Sequence, residues 1–179
     1  MKQVRKDKHD LFESTVLPYL GSAYNLARWL TGNEPDAEDM VQEAFLRAFR
    51  LFDAFVPGRD ARPWLLAIVR NCCRTWHRKK RSFEAALESD IDSHPAKTVW
   101  SDPEATLIKN ADARLIRQAM DHLPFEYREV LILRELEELS YKEIALIAEI
   151  PLGTVMSRLS RARKELYVRL SGSQGEMAV

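Results

Sequence analysis

The chain has 179 residues, 46% hydrophobic and 30% charged, with 27 basic and 27 acidic side chains. That length suits one domain or two small ones. It holds no run of about 18 apolar residues to span a membrane, its charged start MKQVRKDKHDLFES lacks the apolar centre of a signal peptide, and the adjacent Cys72 and Cys73 make no disulfide framework, so a cytoplasmic protein is expected. A zero net charge argues against nucleic acid only if the charge is spread evenly, and it is not. Residues 59–81 hold eight Lys/Arg against one Asp, residues 82–106 hold six Asp/Glu against one Lys, and residues 151–170 hold five Lys/Arg against one Glu. Two basic patches are thus separated by an acidic connector.

In chain order, helical patterning covers about 9–31, 36–55, 61–80, 104–122, 125–137, 140–148 and 153–170. There is no sustained period-2 strand pattern and no Asn-Gly hairpin signal. An all-α fold is expected. The helix at 36 starts at Asp36 as N-cap after Pro35, and Pro57-Gly58 ends it. Within DAEDMVQEAFLRAFR, residues 36–50, Met40, Val41, Ala44, Phe45 and Ala48 form a buried face. Asp39, Gln42, Glu43, Leu46 and Arg50 lie opposite. A leucine among acids on an exposed face suits a protein partner, although single exposed leucines are common.

The next helix carries WLLAIVRNCCRTWHRKKR, residues 64–81. Leu65, Ile68, Val69, Cys72 and Trp76 cluster on one side of a helical wheel. Arg70, Asn71, Arg74, Arg78 and Arg81 cluster on the other. An arginine stripe tracks a phosphate backbone, and an Asn within it can hydrogen-bond a base edge. Trp64 and Trp76 offer flat faces to unpaired bases, yet Trp76 falls on the apolar side and reads as core. Residues 82–103 carry Ser, Asp and Pro without clear periodicity and read as a linker, though Phe83–Leu87 could add one helical turn.

The last stretch, SYKEIALIAEIPLGTVMSRLSRARKEL, has the grammar of a helix-turn-helix. Ser140 and Glu143 make a capping box. Ile144, Ala145, Ile147 and Ala148 supply an apolar face. Glu149-Ile150-Pro151 breaks the helix, because proline lacks an N–H and disfavours helical geometry in the residue before it. On the second helix Val155, Leu159, Ala162 and Leu166 share one stripe. Ser157, Ser160, Arg161 and Lys164 face away from it, flanked by Met156, Arg158 and Arg163. A helix buried on one side and small, polar and basic on the other suits a DNA major groove. The expected organisation is two small helical domains, 8–81 and 104–170, joined by a flexible acidic linker at 82–103 and followed by a frayed tail at 171–179.

Three strings in fixed order carry a resemblance: DAEDMVQEAFLRAF, RPWLLAIVRNCCRTWHRKKR and LPFEYREVLILRELEELSYKEIALIAEIPLGTVMSRLSRAR. Over about 11–81 and 104–168 the chain resembles bacterial RNA polymerase sigma factors of the sigma-70 family, in the extracytoplasmic-function (ECF) group. The resemblance implies that Asp39, Gln42, Glu43 and Leu46 lie on a helix that docks on the β′ clamp of core polymerase. It implies that Asn71 helps hold a base flipped from the −10 strand. Trp64 would sit near that pocket, and Arg70, Arg74 and Arg78 would lie along the backbone. It further implies a −35 reading surface at Thr154, Met156, Ser157, Arg158, Ser160, Arg161, Arg163 and Lys164.

Met156 stands where many relatives carry Arg or Lys, and Ser160 where some carry an aromatic. The partners implied are core RNA polymerase through β′ and β, promoter DNA and a separate anti-sigma factor. No small-molecule substrate, cofactor or catalytic activity is implied. The linker occupies the place of the extra middle domain of larger relatives. The short tail leaves no sensor domain, so control is expected from outside the chain.

Two rival readings make different demands. A self-sufficient helix-turn-helix regulator accounts for 140–166 but not for the arginine stripe or the helix at 36–50. An enzyme or metal site would draw on Cys72, Cys73 and His77. Adjacent cysteines point to different sides of a helix, however, and structural zinc needs four convergent ligands. His9, His94 and His122 have no paired spacing, and no phosphate loop or catalytic triad motif is present.

Overall fold

The structure is a computed structural model describing the backbone of residues 2–88 and 107–176, with side chains for 8–86 and 113–171. The described residues are helical with turns and contain no strand. They divide into two compact units, one on either side of Lys97/Thr98.

In the N-terminal unit α1 spans Lys2–Val16, α2 Leu20–Thr31, α3 Glu34–Leu51 and α4 Ala61–Glu88. The single helix expected over 9–31 is two, because Pro18 lies in a 3-10 turn at Leu17–Tyr19 and cannot continue the α-helical ladder. Helix α2 ends on Gly32 at φ 80°, a left-handed position where a glycine meets no Cβ penalty. Asn33, not Asp36, is the N-cap of α3. Asn33 Oδ1 accepts the Asp36 backbone N–H at 2.9 Å, and Pro35 occupies the first turn. Asp60 caps α4 in the same way, accepting the Arg62 N–H at 2.9 Å.

Helices α2, α3 and α4 pack on one another, and α1 packs on α4. Their shared core is Leu26, Ala27, Leu30, Ala37, Ala44, Ala48, Leu65, Leu66 and Val69. An aromatic cluster closes one end. The Phe12 ring meets Phe49 and Phe52 edge-on at 5.2 Å, and Phe52 stacks on Phe55 at 5.7 Å. Helix α4 continues to Glu88, so the start of the expected linker is helical and Phe83 is an exposed helical residue. Residues 89–106 lie outside the described residues.

In the C-terminal unit α5 spans Leu107–Asp121, α6 Phe125–Leu131, α7 Tyr141–Ala148 and α8 Leu152–Glu176. The helix expected over 125–137 changes winding part-way. Ile132–Leu136 form a π turn, with the Glu137 N–H donating to the Ile132 carbonyl at 3.1 Å. Helix α8 packs on α5, α6 and α7, around Val130, Ile132, Leu133, Ile144, Ile147, Val155, Leu159 and Ala162. It also runs into the segment expected as a frayed tail.

Candidate functional site

Most of α3 is built as the spacing predicts: Val41, Ala44 and Ala48 are buried, while Asp39, Gln42, Arg50 and Leu46 are exposed, Leu46 by 57%. Met40 and Phe45, expected in the core, are half-buried, Phe45 because it lines the open groove between α1 and α3. Glu43 is half-buried, and its Oε1 accepts from Arg47 Nε at 2.6 Å. Tyr24 and Arg28 of α2 anchor the start of α3. The Tyr24 hydroxyl donates to Glu34 at 3.0 Å and Arg28 pairs with it at 3.3 Å, holding that carboxyl below its usual range. Beside Gln42 and Leu46, α1 and α3 enclose a groove of about 510 Å³, walled chiefly by Phe12, Leu17, Phe45 and Phe49. Sequence reasoning missed this groove, because a wheel drawn for one helix does not show the space between two.

Helix α4 corrects one expectation. Arg70 is not on the exposed stripe: it is 2% exposed. The cause is geometric. Helix α4 packs against both α2 and α3, so its buried arc is wide enough to take Leu65, Leu66, Val69, Arg70, Cys72 and Cys73 together. Arg70 lies four residues after Leu66 and three before Cys73, inside that arc. Its Nη1 donates to Asn71 Oδ1 at 2.9 Å. A guanidinium only donates, so this bond fixes which end of the Asn71 amide is oxygen.

Arg74 and Arg78 are exposed as expected, and Asn71 is half-buried beside them. Trp64 is half-buried at the aromatic cluster, its ring 5.0 Å from Phe55 and 6.4 Å from Phe52. Trp76 is half-buried rather than core, with Lys80 Nζ 4.9 Å above its ring. Cys72 and Cys73 are both buried and unpaired with each other, and burial pushes both thiols up. A raised thiol is a poor nucleophile and metal ligand. His9, Asp10 and Glu13 bring ligand atoms within 4.8 Å of one another, but all three are exposed along one side of α1, where their spacing places them in any helix.

The helix-turn-helix is formed as read. Ser140 Oγ accepts the Glu143 N–H at 3.3 Å, and Glu143 Oε2 accepts the Ser140 N–H at 2.8 Å. Glu149 ends α7 at φ 55°, the Ile150 N–H returns to the Ala145 carbonyl at 3.1 Å, and Pro151 leads into α8. Met156, Ser157, Ser160, Arg161 and Lys164 are exposed, and Thr154 is half-buried.

The cations of α8 do not share one environment. Arg158 is half-buried, and its Nη1 meets Oε1 of the fully buried Glu129 at 3.2 Å. Arg163 pairs with Glu135 at 2.7 Å, both half exposed. Arg161 and Lys164 make no such ion pair among the described residues. Nothing in the sequence marked Glu129 as buried, since Arg128-Glu129 reads as a surface pair.

Comparison with known proteins gives these helices a family. The model described as Sigma-70 region 2 matches residues 15–83, and the one described as Sigma-70, region 4 matches 113–166. The ECF RNA polymerase sigma factor SigW of Bacillus subtilis is 34% identical over 95% of this chain and 94% of its own length. EcfG of Rhodopseudomonas palustris is 37% identical over 90% and 86%, and the sigma-E factor of Escherichia coli 31% over 93% and 90%. Among solved structures, the sigma factor RpoE in complex with the anti-sigma factor NepR from Bartonella quintana superposes with a TM-score of 0.72. It is 27% identical, covering 89% of this chain and 96% of that one. CnrH in complex with the cytosolic domain of CnrY gives 0.62 at 27% identity, covering 92% and 90%. With both regions matched in order, and with relatives this similar along nearly its whole length, the chain belongs to the sigma-70 family of RNA polymerase sigma factors, in the ECF group.

Proposed function

We propose that this ECF sigma factor divides promoter-specific initiation among three faces. The exposed side of α3, with Asp39, Gln42, Glu43 and Leu46, binds core RNA polymerase through β′. The outer side of α4 opens the −10 element: Asn71 holds a flipped base, Trp64 lies beside it, and Arg74 and Arg78 follow the backbone. Extracting a base from the stack costs a few kcal/mol, which these contacts must offset. The exposed face of α8, centred on Ser157, Ser160 and Arg161, reads the −35 element. Arg70 acts from beneath, through Asn71.

The working boundaries are a promoter-melting domain at 8–81 and a −35 domain at 104–170, the latter also meeting β. The protein acts in the cytoplasm as an initiation factor, not an enzyme. No helix among the described residues is long and apolar enough to cross a membrane.

The observation that carries this reading is the coexistence of three exposed faces on separate helices, each backed by buried apolar residues. A lone helix-turn-helix regulator has no use for the first two. Control falls to an anti-sigma protein covering α3. The apolar groove beside Gln42 and Leu46 supports a partner with apolar side chains, since charge alone is screened by cellular salt.

The test is transcription with core polymerase on duplex promoters and on templates pre-melted at −10. Gln42→Ala with Leu46→Ala weakens core binding and lowers activity on both templates. Asn71→Ala slows open-complex formation on the duplex and has much less effect on the pre-melted template. Unchanged core affinity in the first variant, or equal loss on both templates in the second, contradicts the assignment of that face.

A further inference from the structure

The sequence offers both Arg158, flanking the outward face, and Arg161, on it, as candidates for base reading, three residues apart on α8. The structure separates them. Arg161 is exposed. Arg158 follows Val155 by three residues and precedes Ala162 by four, so it borders the buried stripe Val155–Leu159–Ala162. From there its guanidinium reaches inward, 3.2 Å from Glu129 Oε1. Glu129 has no exposed surface at all, and lies on α6 among Val130, Leu131 and Ile132 of the core.

A carboxylate taken wholly out of water is stabilised by a partner cation, and the Arg158 guanidinium supplies one through Nη1. Swinging that guanidinium outward to a base edge would break this bond. The pair also joins α6 to α8, near the middle of the helix face that carries Ser157, Ser160 and Arg161.

We infer that Arg158 is a positioning residue: held by buried Glu129, it sets the rotation at which α8 presents Ser157, Ser160 and Arg161 to DNA, and direct reading falls to those residues. The inference rests on the −35 role proposed above. It makes Glu129, which cannot touch DNA, a determinant of promoter choice.

The test uses holoenzyme assembled from core polymerase and the full chain. Binding is measured on promoters with the cognate and with a scrambled −35 element, over a series of salt concentrations. The variants are Glu129→Gln, Arg158→Ala, the two combined, and Arg161→Ala. Glu129→Gln and Arg158→Ala are each expected to lower the cognate-to-scrambled ratio by about tenfold, and the double variant no further, because coupled partners are not additive. None of the three changes the slope of log affinity against log salt. Arg161→Ala lowers the ratio independently, and the loss adds to that of Glu129→Gln.

If Arg158→Ala flattens the salt slope by about 0.9, it has removed a phosphate contact, and the inference falls. It falls equally if Glu129→Gln lowers the melting temperature but leaves the ratio at the wild-type value, since the pair then only stabilises the fold. Hydrogen exchange of α6 and α8 shows whether Arg158→Ala is folded. If it is not, Glu129→Gln and Arg158→Lys decide the matter by the same criteria. A wild-type ratio of one would instead overturn the −35 reading itself, a result distinct from a normal ratio that ignores Glu129.

Discussion

The two units settle their buried polar groups differently. Among the described residues, the N-terminal unit buries Thr31 and Arg70 within a core otherwise made of Leu, Ala, Val, Phe and Cys. Thr31 is satisfied locally, its hydroxyl donating to the Ala27 carbonyl at 2.9 Å. The smaller C-terminal unit buries Arg128, Glu129 and Glu137. Arg128 donates to the Asp121 and Leu123 carbonyls at 2.7 and 3.2 Å, tying α6 to the end of α5, while Glu129 ties α6 to α8. Small domains bury a lower fraction of their surface. In this one, charged links add to the apolar contacts between helices. The lesson is that an arginine on a helix expected to face DNA turns inward in both units, Arg70 fully buried and Arg158 half-buried. It serves an amide in one and a carboxylate in the other.

The comparison is broken most sharply by truncating the apolar core. Leu65 is fully buried between helices. Leu65→Ala is expected to destabilise the N-terminal unit by about 2–5 kcal/mol. Hydrogen exchange resolved by region should show α2, α3 and α4 losing protection together while α6 and α8 keep theirs. Loss spread evenly over both units would mean that they unfold as one.

The matching experiment in the C-terminal unit is Arg158→Ala. Removing this cation from the buried Glu129 is expected to cost up to about 3 kcal/mol, the low end for a buried pair because Arg158 itself is half-buried. Replacing both partners by apolar residues of similar volume should recover most of that stability, and Leu65 has no counterpart rescue. Equal stability of Arg158→Ala and wild type in thermal unfolding would show that the Glu129 charge is not balanced chiefly by Arg158.

These contrasts mark where sequence reasoning reaches. Signals confined to a few neighbouring residues were readable: the Ser140–Glu143 box, the break before Pro151 and the stripe Val155–Leu159–Ala162 all stand as expected. The N-cap of α3 was misplaced by three residues, although Asn33 two positions before Pro35 was a usable cue. Burial of Arg70 and Glu129 was not readable. A helical wheel ranks positions by hydrophobicity around one axis, whereas burial depends on how many helices pack around that axis. Charged side chains inside a wide arc are then assigned to the wrong side. The π turn at Ile132–Leu136, ILREL, likewise carries no glycine or proline to mark a change of winding.

A smaller effect tests whether local capping matters more in the charged unit. Ser140→Ala removes the hydroxyl half of the capping box, leaving the backbone N–H at 140 to donate to Glu143, and is expected to cost about 1 kcal/mol. The readout is earlier exchange of the first-turn amides of α7. An unchanged exchange rate would mean that packing of α7 on α8 fixes the turn without the cap.

The smallest expected effect separates two ion pairs on the same helix. Arg163 and Glu135 meet at 2.7 Å, closer than Arg158 and Glu129 at 3.2 Å, so distance alone ranks the Arg163 pair as the stronger. Burial reverses that order. Both members of the Arg163 pair are 51% exposed, whereas Glu129 is fully buried. An exposed pair acts through a high dielectric, loses side-chain entropy and is screened by salt, leaving under about 1 kcal/mol. At about 1 M salt the screening length falls to roughly 3 Å, comparable to the separation of the pair, and the exposed pair should lose much of its contribution. Arg163→Ala should therefore lower the stability of the C-terminal unit slightly at low salt and by clearly less near 1 M. Arg158→Ala should lower it by nearly the same amount in both. Parallel salt dependence for the two variants would show that Glu129 is solvated like a surface carboxylate, and the contrast between an apolar unit and a charge-braced one would no longer hold.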